Sequence, residues 1–101
     1  MKELIRVANT KDIASQSFEL IEVRAKKIIV YNVDGAYYAT TTMCVHQGGP
    51  LEKGTLKGTT ITCPWHAWQF NVCTGKAVLD NEVSIECYPV SIEGDQILVR
   101  I

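Results

Sequence analysis

Along most of the chain, apolar and polar positions alternate in short runs separated by Gly, Asn, Asp and Pro, the period of strands with one buried face. Leu4-Ile5-Arg6-Val7 predicts a first strand, and Asn9 to Asp12 breaks it. Asp12 to Ser15 is at most one helical turn. In Ser17 to Val23 the apolar parity switches between Leu20 and Ile21, which suits a bulge or a strand with apolar neighbours on both faces. Lys26 to Val33 is the strongest strand. Its nearly continuous Ile28-Ile29-Val30-Tyr31 run predicts a central position covered on both sides. Asp34-Gly35 is a two-residue hairpin signal, and Ala36 to Thr41 returns, setting Tyr31 opposite Tyr38 and Val30 opposite Ala39.

That returning strand runs into Cys44, and the segment from Cys44 to Leu51 carries Gly48-Gly49-Pro50, which favours turns closed to residues with a Cβ. Gly54 and Gly58 are expected to flank a further turn, after which the β-branched Thr59 to Thr62 delivers Cys63. Beyond His66, Gln69 to Val72 leads to a turn at Thr74-Gly75-Lys76, and Val83, Ile85 and Cys87 alternate with Ser84, Glu86 and Tyr88. A last hairpin around Gly94-Asp95 pairs Ile92 with Ile97 and Val90 with Val99. No repeat or linker interrupts the chain, so one all-β domain over 1–101, a small sandwich or partly closed barrel, is expected.

Composition narrows the function classes. An apolar fraction of 47% argues for a packed core, and a formal charge of −1 gives no basic patch for nucleic acid or an anionic membrane. No apolar run reaches the length of a membrane span, and the charged start Met1 to Arg6 is unlike a secretory signal, so a cytoplasmic protein with reduced thiols is expected.

The chemistry is concentrated in Cys44-Val45-His46 and Cys63-Pro64-Trp65-His66, separated by the sixteen residues 47–62. These pairs hold both histidines and two of the four cysteines. Thiolate and imidazole grouped this way are a metal-ligand set; two disulfides in a secreted domain would leave the histidines unexplained. Donor identity alone suits a tetrahedral zinc and a mixed-ligand iron–sulfur cluster equally. Zinc fingers usually pair cysteine with cysteine and histidine with histidine, whereas here each pair is mixed and sits at the end of a strand.

Those two pairs resemble the ligand motif of Rieske iron–sulfur proteins, and the chain as a whole resembles the small Rieske-type [2Fe-2S] ferredoxins. Further similar stretches are Asp34-Gly35 with Tyr38-Ala39, His46 to Leu51, Phe70, Thr74-Gly75-Lys76-Ala77 and Tyr88-Pro89-Val90. The resemblance implies an antiparallel β-sandwich with a small two-loop cluster-binding subdomain at about 43–70. It implies one [2Fe-2S] cluster, with Cys44 and Cys63 on one iron and His46 and His66 on the other. Two neutral imidazoles in place of two thiolates make such a cluster less negative, which raises its potential to about −150 to +300 mV.

High-potential members of that family have Gly-Ser after the second histidine and a tyrosine two positions beyond the serine; here those places hold Ala67, Trp68 and Phe70. They also carry a loop disulfide whose positions are Gly49 and Trp65 here. With those hydroxyls and that disulfide missing, a potential low in the range is expected, since hydrogen bonds to cluster sulfur stabilise the reduced state. Ala67 departs from the glycine usual in the family. Trp65 and Trp68 read as an apolar shield. Cys87 reads as a small buried hydrophobe on the Val83–Ile85 face, with a Cys73–Cys87 disulfide as the other reading.

The resemblance implies a one-electron carrier between an NAD(P)H-dependent flavoprotein reductase and an acceptor such as an aromatic-ring dioxygenase. It is not expected to be an enzyme alone: a mononuclear iron site needs two further histidines and a carboxylate, and both histidines are already committed. The other readings are the small subunit of an assimilatory nitrite reductase and a structural zinc module.

Overall fold

The computed structural model describes residues 3–42, 51–64, 68–79 and 82–101. Its organising element is the strand Lys26–Val33 (β3), in which Ile28, Ile29, Val30 and Tyr31 are all fully buried. Successive side chains of a strand point to opposite faces, so such a run needs apolar cover on both sides. Ile29 and Tyr31 enter one core with Leu51, Ile61, Cys63, Phe70, Val72 and Ile85. Ile28 and Val30 enter another with Ile13, Val23, Ala39, Tyr88, Ile97 and Val99. Each fully buried side chain of this size contributes about 1.5–3 kcal/mol, so β3 ties both cores to one backbone.

Two-residue turns bracket β3. Ser17–Val23 (β2) reaches it through Arg24 and Ala25, with φ of 53° and 65°, and Ala36–Thr41 (β4) leaves it through Asp34 and Gly35, with φ of 51° and 93°. Paired positive φ values match the twist of a tight hairpin. The Asn32 side chain fastens the second turn: its Oδ1 accepts from the Gly35 amide at 2.9 Å and its Nδ2 donates to the Ile13 carbonyl at 2.8 Å. Tyr31 lies opposite Tyr38 and Val30 opposite Ala39, as the hairpin length predicts. β2 pairs with β3 in unbroken register, so the parity switch at Leu20–Ile21 marks no bulge. It reflects two-sided cover, with Phe18 against the first core and Ile21 against the second.

With Cys87–Tyr88 (β8), these strands form a sheet of order β2-β3-β4-β8. On one side lies the sheet of Leu4–Asn9 (β1), Val90–Glu93 (β9) and Gln96–Arg100 (β10), order β1-β10-β9, with Ile97 opposite Ile92 and Val99 opposite Val90. Tyr88 is buried in the core between those sheets, so the end of the 83–88 segment is covered on both faces. On the other side lies a small sheet of Thr55–Lys57 (β5), Thr60–Thr62 (β6) and Gln69–Asn71 (β7). The segment between Gly54 and Gly58, expected as a turn, is therefore a strand, and the turn is at Gly58-Thr59. The architecture is the antiparallel β-sandwich expected, with a small third sheet added. Among the described residues no helix is long and apolar enough to cross a membrane.

Gly54 is where the small sheet meets the 3-10 turn Leu51–Lys53. Its amide donates to the Leu51 carbonyl at 2.9 Å, and a Cβ there would overlap the Thr62 carbonyl oxygen. Gly54→Ala is expected to cost about 1–3 kcal/mol, as overpacking against rigid backbone does. Urea unfolding of the variant beside wild type measures it, and an unchanged midpoint would contradict the crowding.

Candidate metal centre

Cys63 leaves β6 with its side chain fully buried. Cys44, His46 and His66 lie outside the described residues, and the described residues hold the bases of the segments that carry them. The Leu51 amide donates to the Thr42 carbonyl at 2.8 Å, closing the base of segment 43–50. The Cys63 amide donates to the Trp68 carbonyl at 2.7 Å, closing the base of segment 64–67. Both segments that carry ligand candidates thus have their two ends joined backbone to backbone, and both bases stand on one floor. Leu51, Cys63, Ile61 and Phe70 are all fully buried in the first core, with Trp68 packed against it.

The sheet explains this convergence. Thr55 pairs with Thr62, and Thr62 with Gln69, which brings the ends of Leu51–Gly54, Cys63 and Trp68 to one edge of the small sheet. Trp68 stacks on Phe70, with centroids 6.3 Å apart and planes at 26°. Trp68 is partly buried against the first core, and Trp65 lies outside the described residues. These supports escape sequence inspection because backbone hydrogen bonds leave no residue signature. The nearest signal is the run of β-branched residues before Cys63.

Below this floor are polar groups that the motif does not announce. Thr40 donates its hydroxyl to the Thr41 carbonyl at 2.9 Å, so the Tyr31 hydroxyl, 2.7 Å from Thr40 Oγ1, donates to it. Burial lifts the Tyr31 phenol far above its ordinary range, opposed by the Thr40 hydroxyl, which can turn to donate to a phenolate, and helped by the charges of Cys87 and Glu52. It remains a neutral hydroxyl at any physiological pH. Glu52 Oε1 is shut off from solvent and accepts no hydrogen bond among the described residues.

A fully buried thiol at a strand end, beside the closed bases of the two segments whose sequence supplies a second cysteine and both histidines, is a fitting place for a cluster held by sulfur and nitrogen. Donor count alone still allows zinc. Comparison along the chain decides between them: the model of the Rieske [2Fe-2S] domain matches residues 3–89. The chain belongs to the Rieske [2Fe-2S] domain family. Membership carries with it one [2Fe-2S] cluster.

Individual Rieske relatives agree. The ferredoxin component of the naphthalene 1,2-dioxygenase system of Pseudomonas aeruginosa is 38% identical over 82 residues, covering 80% of this chain and 79% of that protein. Among solved structures, the ferredoxin of carbazole 1,9a-dioxygenase from Nocardioides aromaticivorans IC177 superposes with a TM-score of 0.87 at 26% identity, covering 95% of both chains. A chain in the complex of reduced oxygenase and oxidized ferredoxin of carbazole 1,9a-dioxygenase gives 0.86 at 31% identity, covering 95% of this chain and 91% of that one.

Proposed function

We propose that this protein is a one-electron carrier, the ferredoxin component of an aromatic-ring dioxygenase system. Cys44 and Cys63 would ligate one iron, and His46 and His66 the other. The observation that carries this reading is the fully buried Cys63 on a floor shared by both closed loops. Such a floor anchors the bases of the two sequence-distant segments that carry the donors. When bound, a [2Fe-2S] cluster takes up and releases a single electron.

The chain's own residues set the conditions for that. Trp68 and Phe70 keep water from the inner side, and the neutral Tyr31 hydroxyl adds no charge. Segment 43–70 acts as the cluster-binding part of a single domain spanning 1–101. The carrier is not catalytic alone: it receives electrons in the cytoplasm from an NAD(P)H-dependent flavoprotein reductase and gives them to a terminal oxygenase. Relatives named as components of such systems support this assignment.

Optical and EPR spectra before and after dithionite, with metal analysis and a redox titration, test the reading. A coloured protein with two irons per chain is expected, EPR-silent as isolated, EPR-active when reduced, with a midpoint below about +100 mV. A colourless protein holding one zinc would overturn it.

A further inference from the structure

Cys73 and Cys87 take no part in the metal centre, and the structure shows both as thiols. They line one groove of about 370 Å³ together with Tyr38, Val72 and Tyr88. Cys73 lies in the turn that follows β7 of the small sheet, and Cys87 lies in β8 of the four-stranded sheet. The turn wraps the Cys87 sulfur. Cys87 Sγ is 3.9 Å from the Val72 carbonyl oxygen, the carbonyl of the peptide leading into Cys73. A Cβ at Gly75 would stand 2.8 Å from the same sulfur. The backbone on both sides of Cys73 therefore runs close to Cys87 Sγ.

The turn itself is fixed. Asn71 Oδ1 accepts from the Cys73 amide at 2.8 Å and from the Thr74 amide at 3.3 Å, and the Gly75 carbonyl accepts from the Ile85 amide at 2.7 Å. That last bond ties the turn directly to the segment entering β8. A disulfide needs its Cα atoms about 4.4–6.8 Å apart, a condition suited to neighbouring segments joined in this way.

We propose that Cys73 and Cys87 form a reversible disulfide by exchange with low-molecular-weight disulfides, joining the small sheet to the four-stranded sheet. The exposed Cys73 meets the reagent first. Its thiolate attacks one sulfur of the small disulfide, breaking that S–S bond, and the departing thiolate takes up the proton that Cys73 lost. Cys87 then attacks the Cys73 sulfur, the protein S–S bond forms, and a second small thiolate leaves with the Cys87 proton. Two protein thiols and one small disulfide become one protein disulfide and two small thiols. The order of attack follows from exposure: burial pushes the Cys87 thiol up, and the nearby Cys73 and Glu86 charges add to that.

Trypsin cuts after Lys57, Lys76 and Arg100, leaving Cys73 in peptide 58–76 and Cys87 in peptide 77–100. Cluster-loaded protein is incubated with oxidised glutathione, its visible spectrum is recorded, and the digest is read by mass spectrometry. The expected result is one cross-linked 58–76/77–100 species that dithiothreitol separates, with the cluster spectrum unchanged. Cys73→Ser should lose the cross-link completely, and Cys87→Ser should stop at a single glutathione adduct on Cys73. Wild-type protein that stops at that adduct, or reacts nowhere, overturns the proposal. So does a cross-link that survives Cys73→Ser, because peptide 58–76 also contains Cys63.

Discussion

Cys63→Ala is expected to yield a colourless protein whose iron content falls from two per chain to nearly none. On the proposed ligation, removing the Cys63 thiolate would open a coordination position where the side chain is fully buried and no solvent ligand can easily substitute. The polypeptide should nevertheless keep its sandwich, because among the described residues the second core is built from 5–39 and 88–101. Iron analysis and visible absorption read the first expectation, and far-UV circular dichroism reads the second. Cys73→Ala is the matched control, an exposed cysteine whose loss should leave colour and iron intact. A Cys63→Ala protein with a full cluster spectrum would remove Cys63 from the ligand set.

Phe70→Ala is the second large effect. Phe70 is fully buried, lies opposite Ile61 in the small sheet, bridges to Ala77 and supports the Trp68 ring. Truncating a buried phenylalanine costs about 3–5 kcal/mol. In a domain of this size that lowers the melting temperature by at least about 12 °C. Trp68 supplies the carbonyl that closes the second loop, so the variant should also lose its colour faster under chelator than wild type. Val99→Ala opens a cavity in the other core and is expected to lower stability without that acceleration. Equal rates of colour loss in the two variants would show that Phe70 acts on stability alone.

Much of this architecture was legible in the residues. The Ile28–Tyr31 run declared a strand covered twice, and Asp34-Gly35 set a register found pair for pair. Other features were silent for identifiable reasons. Arg24 and Ala25 both adopt positive φ, yet neither residue type favours it, so that turn is imposed by the strands it joins. β5 is Thr55-Leu56-Lys57 between two glycines, and three residues are too few for periodicity to separate a strand from a turn. The irregularity in β1, between Arg6 and Ala8, likewise depends on its partner strand. At the candidate metal centre the proposed donors stand out in the sequence because cysteine and histidine are rare and their spacing is distinctive. The closures at Thr42–Leu51 and Cys63–Trp68 do not, because any residue can supply a backbone amide. The pairing of Cys73 with Cys87 stood in the sequence only as one of two readings, because the groove that both line is tertiary.

The doubly buried strand has a further consequence for folding fidelity. A one-residue slip normally drives a strand's apolar side chains into water, and that penalty protects the pairing. For β3 the penalty nearly vanishes, since Ile28 and Val30 would simply exchange places with Ile29 and Tyr31 in cores that are both oily. Discrimination must come from elsewhere: the two hairpin turns that leave no slack at either end, the Asn32 amide and the Tyr31–Thr40 hydroxyl pair. These few polar contacts act as a ratchet against misalignment, and lengthening either turn by one residue would release it.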